Sequence, residues 1–234
     1  MLLCIDAGNT RIKWGLRQDQ RWLAHGAVPS GEPVALVAAI PAQPVRAVIG
    51  CNVAGEGVAR AIETILQRPV RWNTAQAEQC GIRNGYENPQ QLGADRWAAL
   101  IGAHALAPGP CLVVMAGTAT TVDVLDASGQ FRGGLILPGL SLMAHALAGN
   151  TAGLAAEPGS PADFPRNTRD AIASGAADAT LGAIERLYRR AGAAQCLIAG
   201  GAAEILLPRL ELPRRHQPLL VLEGLARIGQ VAAA

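Results

Sequence analysis

Two stretches of the chain, residues 2–28 and 111–137, are written in the same pattern, and this repetition constrains the fold more than any other feature. In the first, the apolar run Leu2–Asp6 ends in an acid, and the small polar turn Ala7-Gly8-Asn9-Thr10 follows. The run Arg11–Leu16 then alternates, Asp19-Gln20 turns the chain again, and Arg21–Val28 makes a third run. In the second, Cys111–Met115 is apolar, Ala116–Thr120 is a small-residue turn, Thr121–Leu125 alternates, Ala127–Gln130 turns, and Phe131–Leu137 completes the set. Short apolar or alternating runs bounded by such turns read as strands. Gly8 and Asn9 tolerate a left-handed backbone, which suits a tight turn. Strand, small polar turn, strand, turn, strand therefore occurs twice, and the chain reads as a structural duplication.

The remaining segments place helices around these strands. Pro33–Ile40 reads as a short helix, Val45–Gly50 as a buried strand and Val70–Trp72 as a short one. Between the last two, Val58, Ala61, Ile62 and Ile65 recur at helical spacing within 55–66. Residues 80–92 read as loop, and Trp97–Leu106 as a helix. Ala107-Pro108-Gly109-Pro110 breaks the chain, giving an expected division into domains at 1–107 and 108–234. In the second half Leu140–Leu147 reads as a helix, 149–166 as a Gly/Pro/Ala-rich loop, and Arg169–Ala191 as a long helix interrupted at Ser174-Gly175. Asn167 or Thr168 can cap it. Gln195–Ala199 is a strand running into Gly200-Gly201, a helix follows at Ala202–Leu207, Pro218–Leu222 reads as a last strand, and Glu223–Val231 as a last helix. Hairpins followed by alternating α and β imply an α/β chain with mixed sheets flanked by helices. With 234 residues, half of them hydrophobic, there is enough apolar material for two small cores.

Several classes of function are disfavoured. A formal net charge of +2 gives no electrostatic case for nucleic acid, and 3% aromatic content gives few platforms for stacked bases. The five cysteines, Cys4, Cys51, Cys80, Cys111 and Cys196, have no metal-ligand spacing, and four lie in or beside apolar runs, as small buried hydrophobes of a reducing compartment do. His25, His104, His145 and His216 are scattered without zinc-like spacing. No basic region followed by a long apolar stretch opens the chain, and no apolar run is of membrane-spanning length. The expectation is a cytoplasmic protein with no membrane partner.

Two places carry candidate chemistry. The turn after Leu2–Asp6 offers backbone N–H groups, a Thr hydroxyl and a carboxylate at a strand end, which suit phosphate and Mg²⁺; an ordinary hairpin with Asp6 as turn former is the plain alternative. The segment Leu92-Gly93-Ala94-Asp95-Arg96 opens a helix. Asp95 is at home there as a first-turn acid, whereas Arg96 opposes the positive end of the helix and calls for a partner, a carboxylate or a substrate.

Two strand-turn-strand units followed by a late Gly-Gly resemble the actin/Hsp70/sugar-kinase superfamily. That likeness implies two RNase H-like (actin-like ATPase) domains, each a mixed sheet flanked by helices, with ATP in the cleft between them. More narrowly, Asp6–Thr10, Gly93–Arg96, Gly117–Asp123 and Gly133–Gly139, in order and at this length, resemble type III pantothenate kinase. The resemblance implies transfer of the ATP γ-phosphoryl group to the hydroxyl of pantothenate, giving 4'-phosphopantothenate in the first step of coenzyme A biosynthesis. A non-catalytic nucleotide-binding or regulatory relative, and a sugar kinase of the same fold, are the alternatives.

On that resemblance Asp6, Ala7, Gly8, Asn9, Thr10, Arg11, Ile12, Lys13 and Thr118 lie around ATP, with Asp6 towards Mg²⁺. Asp95 corresponds to the general base. Tyr86, Gly93, Ala94, Asp95, Arg96 and Thr168 correspond to the pantothenate pocket, with Arg96 on the substrate carboxylate. Lys13 is either a phosphate ligand or a solvent-facing strand residue. Asp123 is either an inward polar group or part of a solvated strand face. Thr168 is either a substrate contact or a helix cap. The family is homodimeric, and the apolar positions Leu181, Ile184, Leu187 and Tyr188 of the long helix suit either a partner subunit or the chain's own core. Two departures stand out. Met115 occupies a position where many relatives carry an acid that binds an activating monovalent cation (K⁺ or NH₄⁺), and Gly50–Ala54 replaces a serine pair followed by Val and Pro.

Overall fold

The computed structural model describes residues 1–151 and 158–231. It divides into two compact units. The first contains Met1–Pro108, the short segment Gly129–Phe131 and the chain from Leu219 onward; the second contains Gly109–Ser128 and Arg132–Pro218.

The first unit opens with β1 (Leu2–Ala7), β2 (Arg11–Gln18) and β3 (Arg21–Pro29), and adds α1 (Leu36–Ala39), β4 (Ala47–Asn52), α2 (Glu56–Leu66) and β5 (Arg71–Trp72). The sheet order is β3-β2-β1-β4-β5. β1 pairs antiparallel with β2 and parallel with β4, so Asp6 stands directly beside Lys13 on one side and Cys51 on the other. The periodicity of α2 is realised, with Ile62 on its buried face and Gln67 closing it in a left-handed cap. The 80–92 stretch is more ordered than a loop. Its start completes a two-strand hairpin, β6 (Glu78–Gln79) and β7 (Ile82–Arg83), turned by Cys80 and Gly81, both at positive φ. Two successive left-handed residues match the twist of a tight hairpin, a signal hidden here because Cys stands where Asn or Gly is usual. α3 (Ala94–Leu106) follows and is buried along most of its length.

The second unit repeats the first. β8 (Cys111–Ala116), β9 (Ala119–Leu125) and β10 (Phe131–Pro138) are followed by α4 (Leu140–Asn150), α5 (Thr168–Ala191), β11 (Gln195–Ala199), α6 (Ala203–Leu206) and β12 (Arg214–His216). The order β10-β9-β8-β11-β12 is the first sheet's order again, with β8 antiparallel to β9 and parallel to β11. The duplication read from the sequence is thus one of topology and pairing.

Four details depart from the expected elements. α5 runs without interruption: Ser174 is buried and uses its hydroxyl to accept from Ala162 N at 2.9 Å and donate to Ala162 O at 3.0 Å, fastening the preceding segment to the helix. Its cap is Asn167, which accepts from Asp170 N, so Thr168 is the first helical residue and not the cap. The last strand lies at Arg214–His216, a polar and exposed run without apolar alternation, while Leu220–Val231 forms α7. The apolar residues at 219–222 read as a strand because a buried helix start and a buried strand look alike over so few positions. α7 packs on α3 so closely that a Cβ at Gly224 would overlap the Ala98 carbonyl. Finally, part of the expected loop 149–166 is helical, since α4 continues to Asn150, and 152–157 lie outside the described residues.

The apolar positions of α5 are settled. Leu181, Ile184 and Leu187 belong to the buried core of the second unit, with Tyr188 packed against it. Cys4, Cys51, Cys111 and Cys196 are buried on β1, β4, β8 and β11, and all five cysteines are free. Burial pushes the thiols of Cys111 and Cys196 up to about 11 and about 12, which suits the inert packing role expected of them. No helix among the described residues is long and apolar enough to cross a membrane.

Candidate active site

Asp6 closes β1 at the edge of the 8–10 turn. Gly8 N donates to Arg11 O at 3.1 Å, and Ser30 ties the turn to β3 through Gly8 O and Thr10 O. Neither Gly8 nor Asn9 takes a positive φ, contrary to the expectation of a left-handed turn. The turn is tight at Gly8 instead, where a Cβ would press on the Arg11 carbonyl at 3.2 Å. Gly8 is half-buried, and Asn9, Thr10 and Arg11 are exposed, while Ala7 and Ile12 are buried in the sheet. Of the predicted nucleotide segment, Ala7 and Ile12 are thus wall and not surface.

The Asp6 carboxylate is buried. One oxygen lies 3.6 Å from Lys13 Nζ, and the other accepts from Cys51 Sγ at 3.5 Å. Burial raises its pKa above the usual carboxylate value; Lys13 opposes that shift, and the nearby Asp95 carboxylate adds to it. The same burial, reinforced by Asp6 and Asp95, drives the Cys51 thiol well up, so it stands as a protonated donor. Lys13 is neither fully exposed nor free. It is partly sheltered against Asp6.

A buried hard carboxylate at the rim of a backbone turn fits one coordination position of Mg²⁺. No cluster of three or more His, Cys, Asp or Glu side chains among the described residues could hold a metal by itself. Mg²⁺ at Asp6 would therefore complete its shell with phosphate oxygens and water.

The electrostatic effect of Asp95 on Asp6 brings the first turn of α3 into the same neighbourhood. Gly93 is the N-cap and offers no side chain, and Asp95 Oδ1 accepts from Arg96 N at 2.8 Å. A Cβ at Gly93 would lie 2.8 Å from that oxygen, so glycine leaves room for the carboxylate. Ala94 is buried behind it. Arg96 is buried too, and its awkward position is explained by aromatic rings. Its Nη1 donates to Tyr86 Oη at 2.9 Å, and its guanidinium carbon lies 5.6 Å from the Tyr86 ring centre and 5.9 Å from that of Phe131. The Asn84-x-Tyr86-x-x-Pro89 loop is shaped by Asn84, which accepts from Tyr86 N and donates to Pro89 O.

In the second unit the turn Gly117-Thr118-Ala119 is exposed, and Gly117 N donates to Ala119 O at 3.0 Å. It is braced from within that unit: Gly139 N donates to Thr118 O, and Ala202 N donates to Ala116 O. Gly200, at positive φ, approaches Ala116 so closely that a Cβ would overlap its carbonyl. The late Gly-Gly therefore starts beside this turn. Asp123 is fully buried against the backbone of Gly134, which rules out the solvated strand face. Thr168 is exposed at the start of α5. Met115 pairs across the strands with Thr121, whose hydroxyl is buried without a hydrogen-bond partner.

Asp6, Lys13, Tyr86, Gly93, Asp95 and Arg96 thus belong to the first unit, and Thr118 and Thr168 to the second. Sequence reasoning missed Cys51 beside Asp6 and Phe131 beside Arg96. Pairing of β1 with β4 was the available signal for the first. Phe131 carried none, since a strand phenylalanine is ordinary.

Known proteins are similar to the chain along its whole length. A family model described as type III pantothenate kinase matches residues 2–190. A type III pantothenate kinase of Aromatoleum aromaticum is 53% identical over 241 residues, covering 100% of both chains. One from an Azoarcus species is 49% identical, covering 100% of this chain and 92% of its own. Among solved structures, a Baf family protein of Campylobacter jejuni is similar in fold, with a TM-score of 0.66 at 22% identity, covering 99% of this chain and 98% of its own. A ROK family glucokinase of Streptomyces griseus, solved with glucose and AMPPNP, has a TM-score of 0.57 at 13% identity and covers 98% of each chain.

Proposed function

The chain belongs to the type III pantothenate kinase family, and from that premise we propose that the Gly93–Arg96 helix start works the acceptor side of the reaction while the Asp6–Lys13 turn holds the nucleotide. The reaction is ATP-dependent phosphorylation of pantothenate to 4'-phosphopantothenate, the first step of coenzyme A biosynthesis. The observation that carries the division of labour is the contrast between two neighbouring carboxylates, one buried between Lys13 and Cys51, the other half-exposed at a helix start beside a fixed arginine.

Phosphoryl transfer requires positioning and charge neutralisation more than covalent help from the protein. Asp95 accepts the proton of the substrate hydroxyl. Arg96 pairs with the pantothenate carboxylate, which suits a planar guanidinium, and Tyr86 lines that pocket. Gly93 and Ala94 keep the helix start narrow, and Thr168 supplies a further hydroxyl to the substrate. Mg²⁺, when bound with ATP, neutralises phosphate charge, and Asp6 would hold it there. The family likeness assigns the phosphates to the backbone of Gly8, Asn9 and Thr10 and the side chains of Arg11 and Lys13 in the first unit, with Ala7 and Ile12 as the supporting wall, and to Thr118 in the second. The test is ADP release by purified protein with and without pantothenate. Release that ignores pantothenate would sink the acceptor assignment.

The monovalent-cation position does not fit a cation. Met115 offers a soft thioether to a hard ion, and the adjacent Thr121 adds one neutral hydroxyl. Turnover is expected to change less than about twofold when K⁺ is replaced by Na⁺ at constant ionic strength. Strong activation by K⁺ or NH₄⁺ refutes this.

We also assign a homodimer through α4. None of its residues is buried in the single chain, Leu142 and Leu147 are 46% and 44% exposed, and the same unit exposes Ile136 on β10. Leu140 packs on the core of its own unit, and the outward Leu142 and Leu147 fit a second copy of the chain. Leu142→Glu together with Leu147→Glu is expected to shift the protein from dimer to monomer in analytical ultracentrifugation. A double variant that still sediments as the dimer rules out α4 as the interface.

A further inference from the structure

We propose that Phe131 is a positioning residue for the carboxylate-binding arm of the site, acting through Arg96 and Tyr86. The proposal rests on the acceptor-side reading above and extends it to a residue that the sequence presents as an ordinary strand phenylalanine. Phe131 is fully buried, and its ring lies 5.3 Å from that of Tyr86 at an interplanar angle of 41°. The Arg96 guanidinium faces both rings, at 5.6 and 5.9 Å. Tyr86 holds one edge of the guanidinium through its hydroxyl. The Phe131 face adds a second surface and restricts the plane of the guanidinium. An arginine so held enters substrate binding with little rotamer freedom left to lose.

The chain invests in this placement. Gly129–Phe131 is fastened to the 83–85 stretch by Arg83 N donating to Gly129 O at 3.0 Å. Arg83 Nε also donates to Gln130 Oε1 at 3.2 Å, and Gln130 Nε2 donates to Arg83 O at 3.3 Å. Gly85 is bare because a Cβ there would overlap the Phe131 carbonyl. The turn at Gly129 requires positive φ, and a Cβ on it would press on the Gly81 carbonyl. A phenylalanine that only filled core volume would not need its own backbone clamped against the loop that carries Tyr86.

The experiment compares Phe131→Met and Phe131→Leu with wild type, with Arg96→Lys in parallel, on full-length protein whose folding is checked by circular dichroism. Methionine keeps most of the buried volume and removes the ring face, so it remains informative if leucine leaves a cavity that unfolds the chain. The expected result is a KM for pantothenate raised on the order of tenfold, with kcat and KM for ATP unchanged. The preference for pantothenate over its uncharged methyl ester should shrink by a similar factor. A purely packing role would lower stability and leave the pantothenate KM and the ester preference untouched, and that result overturns the proposal. If Arg96→Lys raises the pantothenate KM while Phe131→Met does not, Phe131 alone loses its role. If neither moves it, the assignment of Arg96 to the carboxylate fails and the proposal falls with it.

Discussion

Asp95→Asn is expected to lower kcat by on the order of 10²–10⁴ while leaving the fold and the KM for ATP in place. The substitution is nearly isosteric. The amide oxygen can still accept the 2.8 Å bond from Arg96 N, so the first turn of α3 keeps its geometry. What is lost is a group able to take a proton from the substrate hydroxyl. Asp6 cannot substitute for it, since its two oxygens are engaged by Lys13 and Cys51. The two carboxylates lie within electrostatic reach of one another, one buried and one half-exposed, so the proposed division of labour follows the pattern of paired acids with different environments. Single-turnover phosphorylation of pantothenate separates the chemical step from product release. A variant with near-normal single-turnover rates removes Asp95 as the base, and equal losses in kcat and ATP binding would point to disrupted nucleotide geometry.

Which parts of this site the sequence declared follows from the range of each signal. The duplication was legible because hairpins are local: strand, turn and strand lie within about fifteen residues, and period-2 alternation survives divergence. The same held for α3, whose start is marked by a glycine and an acid. Long-range placement was hidden. Cys51 becomes Asp6's neighbour only through parallel pairing of residues 45 positions apart in the chain. Phe131 reaches Arg96 because the β9–β10 turn carries its residues into the first unit. Asp123 stayed open between an inward polar group and a solvated strand face, since an alternating acid fits either until a bare backbone such as Gly134 is known to cover it. The conflict at Arg96 was visible as an electrostatic anomaly, and its resolution needed two rings that lie 10 residues before it and 35 after it in the chain.

Asp6→Asn should separate stability from activity. Burial is the largest influence on Asp6 and raises its pKa; the 3.6 Å ion pair with Lys13 only partly offsets it. An acid whose folded pKa lies above its unfolded value favours the folded state at low pH. That contribution is full below the unfolded pKa of about 3.9 and is lost as pH rises through the folded value. Above the unfolded pKa the buried acid is therefore a cost to the fold, and a neutral amide removes it. Lys13, partly exposed, can rehydrate when its partner loses charge. Without nucleotide, the variant is expected to melt a few degrees higher at pH 7–8, and the fall in wild-type stability across the acid range should flatten. Turnover with Mg²⁺ and ATP should drop by on the order of 10²–10³, because the hard anionic ligand is gone. Thermal unfolding in the presence of Mg²⁺ and a non-hydrolysable ATP analogue reads both effects at once: the wild type gains stability from the ligand, and the variant begins higher and gains little. A variant that melts lower than wild type at every pH would show that the Lys13 and Cys51 contacts outweigh the cost of burying the charge. Mg²⁺-dependent turnover at the wild-type rate would move the metal away from Asp6.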